Sequence, residues 1–197
     1  MDSIKISVIG PESTGKSTLC ERLATHYNTM WCPEYAREYL QIHGTKYNYE
    51  DLLVIAKGQV AVEEKYINTI SMRSATDNEE SAHHSTFTAP HSQLLFVDTD
   101  MSVMKVWCEF VFGKCHRFIL NQMAERKYDL FLLCNVDLPW IKDELREYPG
   151  IEIREKIYKM YKDIMINQPV PWIDISGEYD VRLKKAIDAT EQIILQH

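Results

Sequence analysis

The segment Gly10-Pro11-Glu12-Ser13-Thr14-Gly15-Lys16-Ser17-Thr18 is a complete G-x-x-x-x-G-K-[ST] loop, and the apolar run Ile4-Lys5-Ile6-Ser7-Val8-Ile9 leads straight into it. A polyphosphate is held when several backbone N–H groups converge on one point, which needs a loop too tight for a side chain at every position. Gly10 and Gly15 give that freedom. Lys16 can then reach the β- and γ-phosphates as a point charge, and Ser17 can offer its hydroxyl to a magnesium ion. The helix that opens at Gly15 adds the partial positive charge of its N-terminus. Leu19, Leu23 and Tyr27 recur behind it at helical spacing. This succession predicts a phosphate-binding unit in which Gly10, Glu12, Ser13, Thr14, Gly15, Lys16, Ser17 and Thr18 contact a nucleotide.

The rest of the chain alternates strand-like and helix-like segments, the pattern of a parallel sheet covered by helices on both faces. Strands are expected at 4–9, 29–32, 94–98, 130–134 and 172–175, giving a parallel five-stranded sheet. Helices are expected over 35–43, stopping at Gly44, from Asn48 through Ile70, and over 103–112, 117–126, 153–166 and 181–195. Asn48 and Asp51 resemble a helix start, although a capping box usually closes with Glu or Gln. Residues 72–92 are poor in large apolar side chains and rich in Ser, Thr and His, so they read as a long flexible connection. His83, His84 and His91 lie there with no carboxylate or thiol arrangement to fix a metal geometry, and read as solvated. One α/β domain of the P-loop NTPase class over 1–197 accounts for every segment.

Bulk properties narrow the partners. A length of 197 residues with 45% hydrophobic content suits one substantial core. A net charge of −7 argues against nucleic acid, because a general polyanion binder needs basic patches to release counterions. Cys20, Cys32, Cys108, Cys115 and Cys134 are odd in number and lack C-x-x-C pairs, which fits reduced thiols better than a disulfide frame or a zinc site. The first strand starts too near Met1 for a charged leader and signal segment, and no stretch is apolar and long enough to span a bilayer. The expected setting is cytoplasmic and away from membranes; spacing carries no signal of oligomeric state.

Ligands of such sheets collect at the carboxyl ends of the strands, so polar residues there are the candidates for chemistry. Asp98-Thr99-Asp100 follows the third strand, where a carboxylate can organise the water shell of a magnesium ion, although Asp is also common in such turns. Glu34, with Arg37, follows the second strand and can accept a substrate hydroxyl proton; a helix N-terminal acid complementing the dipole explains it nearly as well. Asp137-Leu138-Pro139-Trp140, Asp143 and Arg146 follow the fourth strand. Arg146 can offset charge on a transferring phosphoryl group, while Trp140 either stacks on a planar ring or fills the core. Gly177-Glu178-Tyr179-Asp180 either faces the nucleotide base or is an ordinary turn.

GPESTGKSTL, PEYAREYL at 33–40, IAKGQ at 55–59, FVDTD at 96–100 with Val106-Trp107 after it, and YDLFLLCNVDLPWIKDELRE at 128–147 together resemble the ribosylnicotinamide kinase domain of NadR-type proteins. The similarity is collinear over about residues 4–187, and the combination of PEYARE, DTD and D-x-P-W makes it selective. It implies a P-loop kinase fold with a lid, ATP and Mg²⁺ as cofactors, and phosphorylation of nicotinamide riboside to nicotinamide mononucleotide. It places Gly15, Lys16, Ser17 and Thr18 on phosphate and metal, and Asp98 and Asp100 in the metal and acceptor region. Glu34, Tyr35 and Arg37 would lie beside the substrate, and Trp140 and Arg146 in the mobile lid. Bifunctional members carry an adenylyltransferase domain with an H-x-G-H signature; none occurs here, so a kinase alone is expected. The lid reads KDELR where the family motif is D-G-x-R, so Glu144 stands in place of glycine.

The chemistry expected is in-line transfer of the γ-phosphoryl group of ATP to a primary hydroxyl of a small nucleoside. Lys16 and Arg146 would neutralise the transferring group, Ser17 and Asp98 would fix the metal, and Glu34 or Asp100 would align or deprotonate the hydroxyl. A GTPase is disfavoured, since N-K-x-D and the glycine of D-x-x-G are both missing. A kinase for another nucleoside or nucleoside monophosphate and a noncatalytic ATP-binding sensor stand as alternatives.

Overall fold

Short runs of branched apolar residues become strands, and the amphipathic runs between them become helices. The computed structural model describes residues 3–80 and 93–197, with backbone alone over 73–80. In chain order the elements are β1 (Ile4–Ile9), α1 (Lys16–His26), β2 (Met30–Cys32), α2 (Tyr35–His43), α3 (Tyr49–Glu80), β3 (Leu94–Asp98), α4 (Met101–Phe112), α5 (Arg117–Glu125), β4 (Leu130–Cys134), α6 (Ile151–Ile166), β5 (Trp172–Ile175) and α7 (Tyr179–Ile194).

All strand pairings are parallel, in the order β2-β3-β1-β4-β5. The central strands are covered on both faces, which is why they read as continuous apolar runs. Their side chains alternate between two cores. Ile6, Val8, Leu94, Phe96, Leu130 and Leu132 pack with α1 and α7. Ile9, Leu95, Val97, Phe131 and Leu133 pack with α3, α4 and α6 on the other face. A third cluster is made by helices alone, through Leu40, Leu52, Ile55, Met104 and Ile119 of α2 to α5. After β1 the chain builds β2 and β3 on one side and then β4 and β5 on the other, so the strand order reverses at β1. A crevice opens at such a reversal beyond the carboxyl ends of the strands, and the loop at 10–15 lies there.

The expected elements are all present, with one difference of extent. α3 begins where Asn48 Oδ1 accepts the Glu50 amide at 2.8 Å and Asp51 Oδ2 accepts the Asn48 amide at 2.7 Å, so aspartate closes the box. The helix then continues to Glu80, so residues 72–80 of the expected flexible connection are helical. Once nucleated, a helix gains one hydrogen bond for each further residue fixed, and a polar tail can prolong it. Residues 81–92, with His83, His84 and His91, lie outside the described residues.

The five cysteines are free, and all but Cys115 are buried. Burial pushes the Cys134 thiol up to about 12, so it behaves as a small apolar side chain. Among the described residues no helix is long and apolar enough to cross a membrane.

Candidate active site

The glycine loop is built by sterics first. Gly10 has φ 141°, and a β-carbon there would lie 2.6 Å from the Cys134 carbonyl oxygen, so no other residue fits. Ser13 takes the left-handed conformation at φ 56°. α1 starts at Lys16 with no side-chain cap, so no side chain competes for its first amides. Within the loop, Thr14 Oγ1 and Lys16 Nζ both donate to the Pro11 carbonyl, at 2.8 and 3.1 Å.

Two buried arginines brace this loop from behind. Arg182 of α7 is 2% exposed. It donates to the carbonyls of Thr14 (3.0 Å), Asn135 (3.0 Å) and Gly177 (2.6 Å), and pairs with Asp137. Arg154 of α6 donates to the Ser13 carbonyl at 3.1 Å and to Leu138 at 3.4 Å. Neither was among the sequence candidates. Their signal was available: Arg182 shares the buried stripe of Ala186, Ala189 and Ile193, and Arg154 that of Ile157, Tyr158, Tyr161 and Met165. A charge on an apolar stripe must find partners inside.

Beneath the loop, Ser17 Oγ donates to Asp98 Oδ2 at 2.5 Å, while Asp98 Oδ1 is buried without a hydrogen-bond partner. A buried carboxylate oxygen facing a hydroxyl fits a hard cation that keeps most of its waters and takes one or two protein oxygens, which is how magnesium is usually held. Among the described residues there is no cluster of three or more His, Cys, Asp or Glu that would suit a metal caged by protein alone.

Burial pushes the Asp98 carboxyl up to about 6; the negative charge of Glu34 adds to this, and Lys16, the Ser17 hydrogen bond and Arg37 oppose it. An acid with a raised folded pKa keeps its proton longer in the fold, so stability falls as the pH rises from about 4 to about 6 and stays lower above that. Asp98→Asn should therefore raise the Tm of the metal-free protein at neutral pH, by the equivalent of roughly 1–3 kcal/mol, while removing the Mg²⁺ dependence of ATP binding. Thermal melts from pH 5 to 8 and titrations with and without Mg²⁺ measure both; a variant less stable than its parent at neutral pH would contradict the assignment.

One cleft is lined by the whole run from Gly10 to Thr18, by Glu34 of the β2–α2 turn, by Arg37 of α2, and by Arg146. Apolar side chains complete it, chiefly Val103, Val106, Trp107, Phe110 and Tyr161. The irregular segment 139–150, the expected lid, is tied to the glycine loop. Glu12 accepts the amides of Glu147 (3.0 Å) and Tyr148 (3.1 Å). Ser13 Oγ accepts the Ile141 amide at 2.9 Å, and Arg146 Nη1 donates to the Ile141 carbonyl at 2.6 Å. Glu12 and Ser13 thus hold the lid as well as lining the cleft. Burial pushes the Glu12 carboxyl above its ordinary range, against the two amides that lower it. Further out, Arg37 pairs with Asp143 at 2.9 Å, and Tyr47 links Glu147 (2.7 Å) to Trp107 Nε1 (2.8 Å). The Arg37 pair is exposed and worth at most about 1 kcal/mol, so it can be exchanged for a ligand at little cost.

Four candidates stand outside the cleft lining: Asp98, buried beneath the loop, and Asp100, Tyr35 and Trp140. Asp100 caps α4, accepting the amides of Ser102 (2.9 Å) and Val103 (3.4 Å) and the Ser102 hydroxyl (3.0 Å). A carboxylate so engaged has a structural task, and of the two carboxylates expected near an acceptor, Glu34 and Asp100, it is Glu34 that lies on the cleft wall. Tyr35 turns its ring onto Gly58 of α3 instead of toward the cleft. Trp140 is neither core nor cleft: it is half-buried, with the Arg154 guanidinium 5.6 Å from its ring centroid. Glu144 adopts an ordinary negative φ, so the turn closed by Arg146 N and the Asp143 carbonyl at 3.2 Å does not require glycine.

The chain is 24% identical over 197 residues to the trifunctional NAD biosynthesis/regulator protein NadR of Escherichia coli (strain K12), which covers 96% of this chain and 42% of that protein. A crystal structure of NadR protein in complex with NR superposes with a TM-score of 0.75 at 23% identity, over 98% of this chain and 50% of the other. Thymidylate kinase from Ehrlichia chaffeensis superposes with a TM-score of 0.60 at 14% identity, over 97% and 99% of the two chains. The chain therefore spans less than half the length of the curated relative it matches, and its fold is that of the P-loop kinases. A family model described as an AAA domain, AAA_28, follows the same course from β1 across the glycine loop into α7, over residues 5–182, and the chain belongs to that family.

Proposed function

We propose that the chain is an ATP-dependent small-molecule kinase, a single domain over 1–197, that phosphorylates nicotinamide riboside to nicotinamide mononucleotide in the cytoplasm. The observation that carries this reading is one cleft lined both by a glycine loop with its cations and by an aromatic wall that includes Trp107 and Phe110. A loop for a triphosphate and a wall for a flat ring suit a nucleoside acceptor. The likeness to NadR, which has been solved with NR, supports the choice of acceptor. Free, mostly buried thiols support a reducing compartment, and the charge of −7 supports a partner other than nucleic acid.

In this reading the loop amides and Lys16 hold the β- and γ-phosphates, and Arg146 offsets charge as the γ-phosphoryl group moves. Ser17 and Asp98 would hold a hydrated Mg²⁺, which when bound would supply positive charge to offset that of the phosphates. Glu34 aligns the acceptor hydroxyl and takes its proton, with Arg37 beside it. Most of the acceleration comes from holding the two oxygens in line.

The test is ADP formation from MgATP against a panel of nicotinamide riboside, deoxynucleosides and nucleoside monophosphates, with product identified by mass. Consumption of nicotinamide riboside with one ADP per mononucleotide is expected. Turnover of a different acceptor alone would reassign the substrate. Tight ATP binding with no product from any acceptor would replace the kinase by a nucleotide sensor.

A further inference from the structure

We infer that Gln59 of α3, with Gly58 before it, is the positioning residue for the Glu34 carboxylate. The inference deepens the proposed function and rests on the reading of Glu34 as the acceptor carboxylate. Gln59 is 1% exposed, on the buried stripe of α3 with Leu52, Ile55 and Ala56. A buried amide must be satisfied, and this one spends its bonds on the turn that carries Glu34. Its Oε1 accepts the Tyr35 amide at 2.7 Å, and its Nε2 donates to the Pro33 carbonyl at 3.3 Å. Both peptide neighbours of Glu34 are therefore held by one side chain.

The chemistry is specific to glutamine. The turn offers an N–H and a C=O, and a side-chain amide presents acceptor and donor together. Glutamate would set a charged acceptor against the Pro33 carbonyl, leucine would satisfy neither group, and asparagine is a methylene short. The Tyr35 amide is also the first orphan donor of α2. Glu34 stands at the N-cap and makes no capping bond with its side chain. With its backbone turn held by Gln59 and its side chain making no capping bond, Glu34 lines the cleft.

Gly58 fixes the other coordinate. A β-carbon there would lie 2.0 Å from Cε1 and 2.2 Å from Cδ1 of Tyr35, so the ring rests directly on the helix backbone. Any side chain at 58 would lift Tyr35 and rotate the turn with it. The pair Gly-Gln at 58–59 thus sets depth and angle of the acceptor carboxylate without touching the substrate.

The experiment is a double-mutant cycle on the full chain, assayed with MgATP and nicotinamide riboside below the melting onset of every variant. Gln59→Leu should lower kcat by about 10- to 30-fold with the KM for ATP unchanged, and Gly58→Ala should do likewise. In a Glu34→Gln background the Gln59→Leu change should cost less than about twofold, because its effect runs through that carboxylate. Equal losses in both backgrounds overturn the positioning role and leave the reading of Glu34 intact. Full activity in Glu34→Gln alone overturns that reading and the inference built on it. Hydrogen exchange reads the contact without any acceptor: the Tyr35 amide should exchange at least about tenfold faster in Gln59→Leu. Unchanged protection there overturns the inference whatever the activity.

Discussion

Lys16→Met is expected to lower turnover by about two to three orders of magnitude while leaving the fold intact, by the scale of a lost donor to a developing anion. The ammonium group is bonded to the Pro11 carbonyl at 3.1 Å, a contact internal to the loop. Losing one such bond at a half-buried site costs about 1 kcal/mol or less, so the Tm should move by only a few degrees. The loss should appear in kcat, because a mobile point charge follows the γ-phosphoryl group as its charge shifts toward the leaving oxygen. Arginine at 16 would restore charge without the geometry, since its planar fork cannot enter a loop shaped around an ammonium. Steady-state kinetics beside melts of the same samples decide the matter. Near-parental turnover in Lys16→Met would discard the assignment of the loop to phosphate transfer.

The second large effect is on stability. Arg182→Met keeps the stem of the side chain but removes the donors to Thr14, Asn135 and Gly177 and the partner of Asp137. Three carbonyls then lose a charged donor in the interior. Breaking a buried ionic network from one side costs about 3–5 kcal/mol, which for a chain of this size lowers the Tm by roughly 10 °C. The same change frees the Thr14 carbonyl, so ATP affinity should fall along with the Tm. Calorimetry and nucleotide titration on one preparation measure both, and a shift under about 2 °C would mean that the loop does not lean on α7.

How much of this could be read from the chain depends on which physical rule governed each residue. The strands were legible because a doubly covered parallel strand is a continuous apolar run, and the loop was legible because its sterics admit few sequences. Asp98 and Asp100 show where reading stops. Both are short acids at the end of β3, and only the placing of the Ser102 and Val103 amides makes Asp100 a cap while Asp98 faces the Ser17 hydroxyl. Tyr35 lies off the cleft lining for a rotational reason: neighbouring helical positions point about 100° apart, so Glu34 and Arg37 can line a cleft that the Tyr35 ring turns away from. The aromatic wall comes from α4, α6 and the lid, and no local pattern joins Phe110 to Tyr161. Arg154, Arg182 and Glu63 escaped because a search for periodic apolar residues passes over the polar positions on the same stripe, and the role of Gln59, though it lies within the IAKGQ motif, escaped for the same reason.

That stripe on α3 has a consequence for how the sequence can vary. Gln59, which holds the Glu34 turn, lies one helical turn from Glu63, about 6 Å along the axis. Glu63 is fully buried and bonded to Lys5, Arg126 and Tyr128. A rigid rod joins the two, so a substitution at Lys5 or Arg126 that shifts α3 will be felt as a misaimed carboxylate. Drift in the ion network at the foot of the sheet and drift in the aim of the Glu34 turn are then one evolutionary variable, and compensating changes at the two ends should travel together.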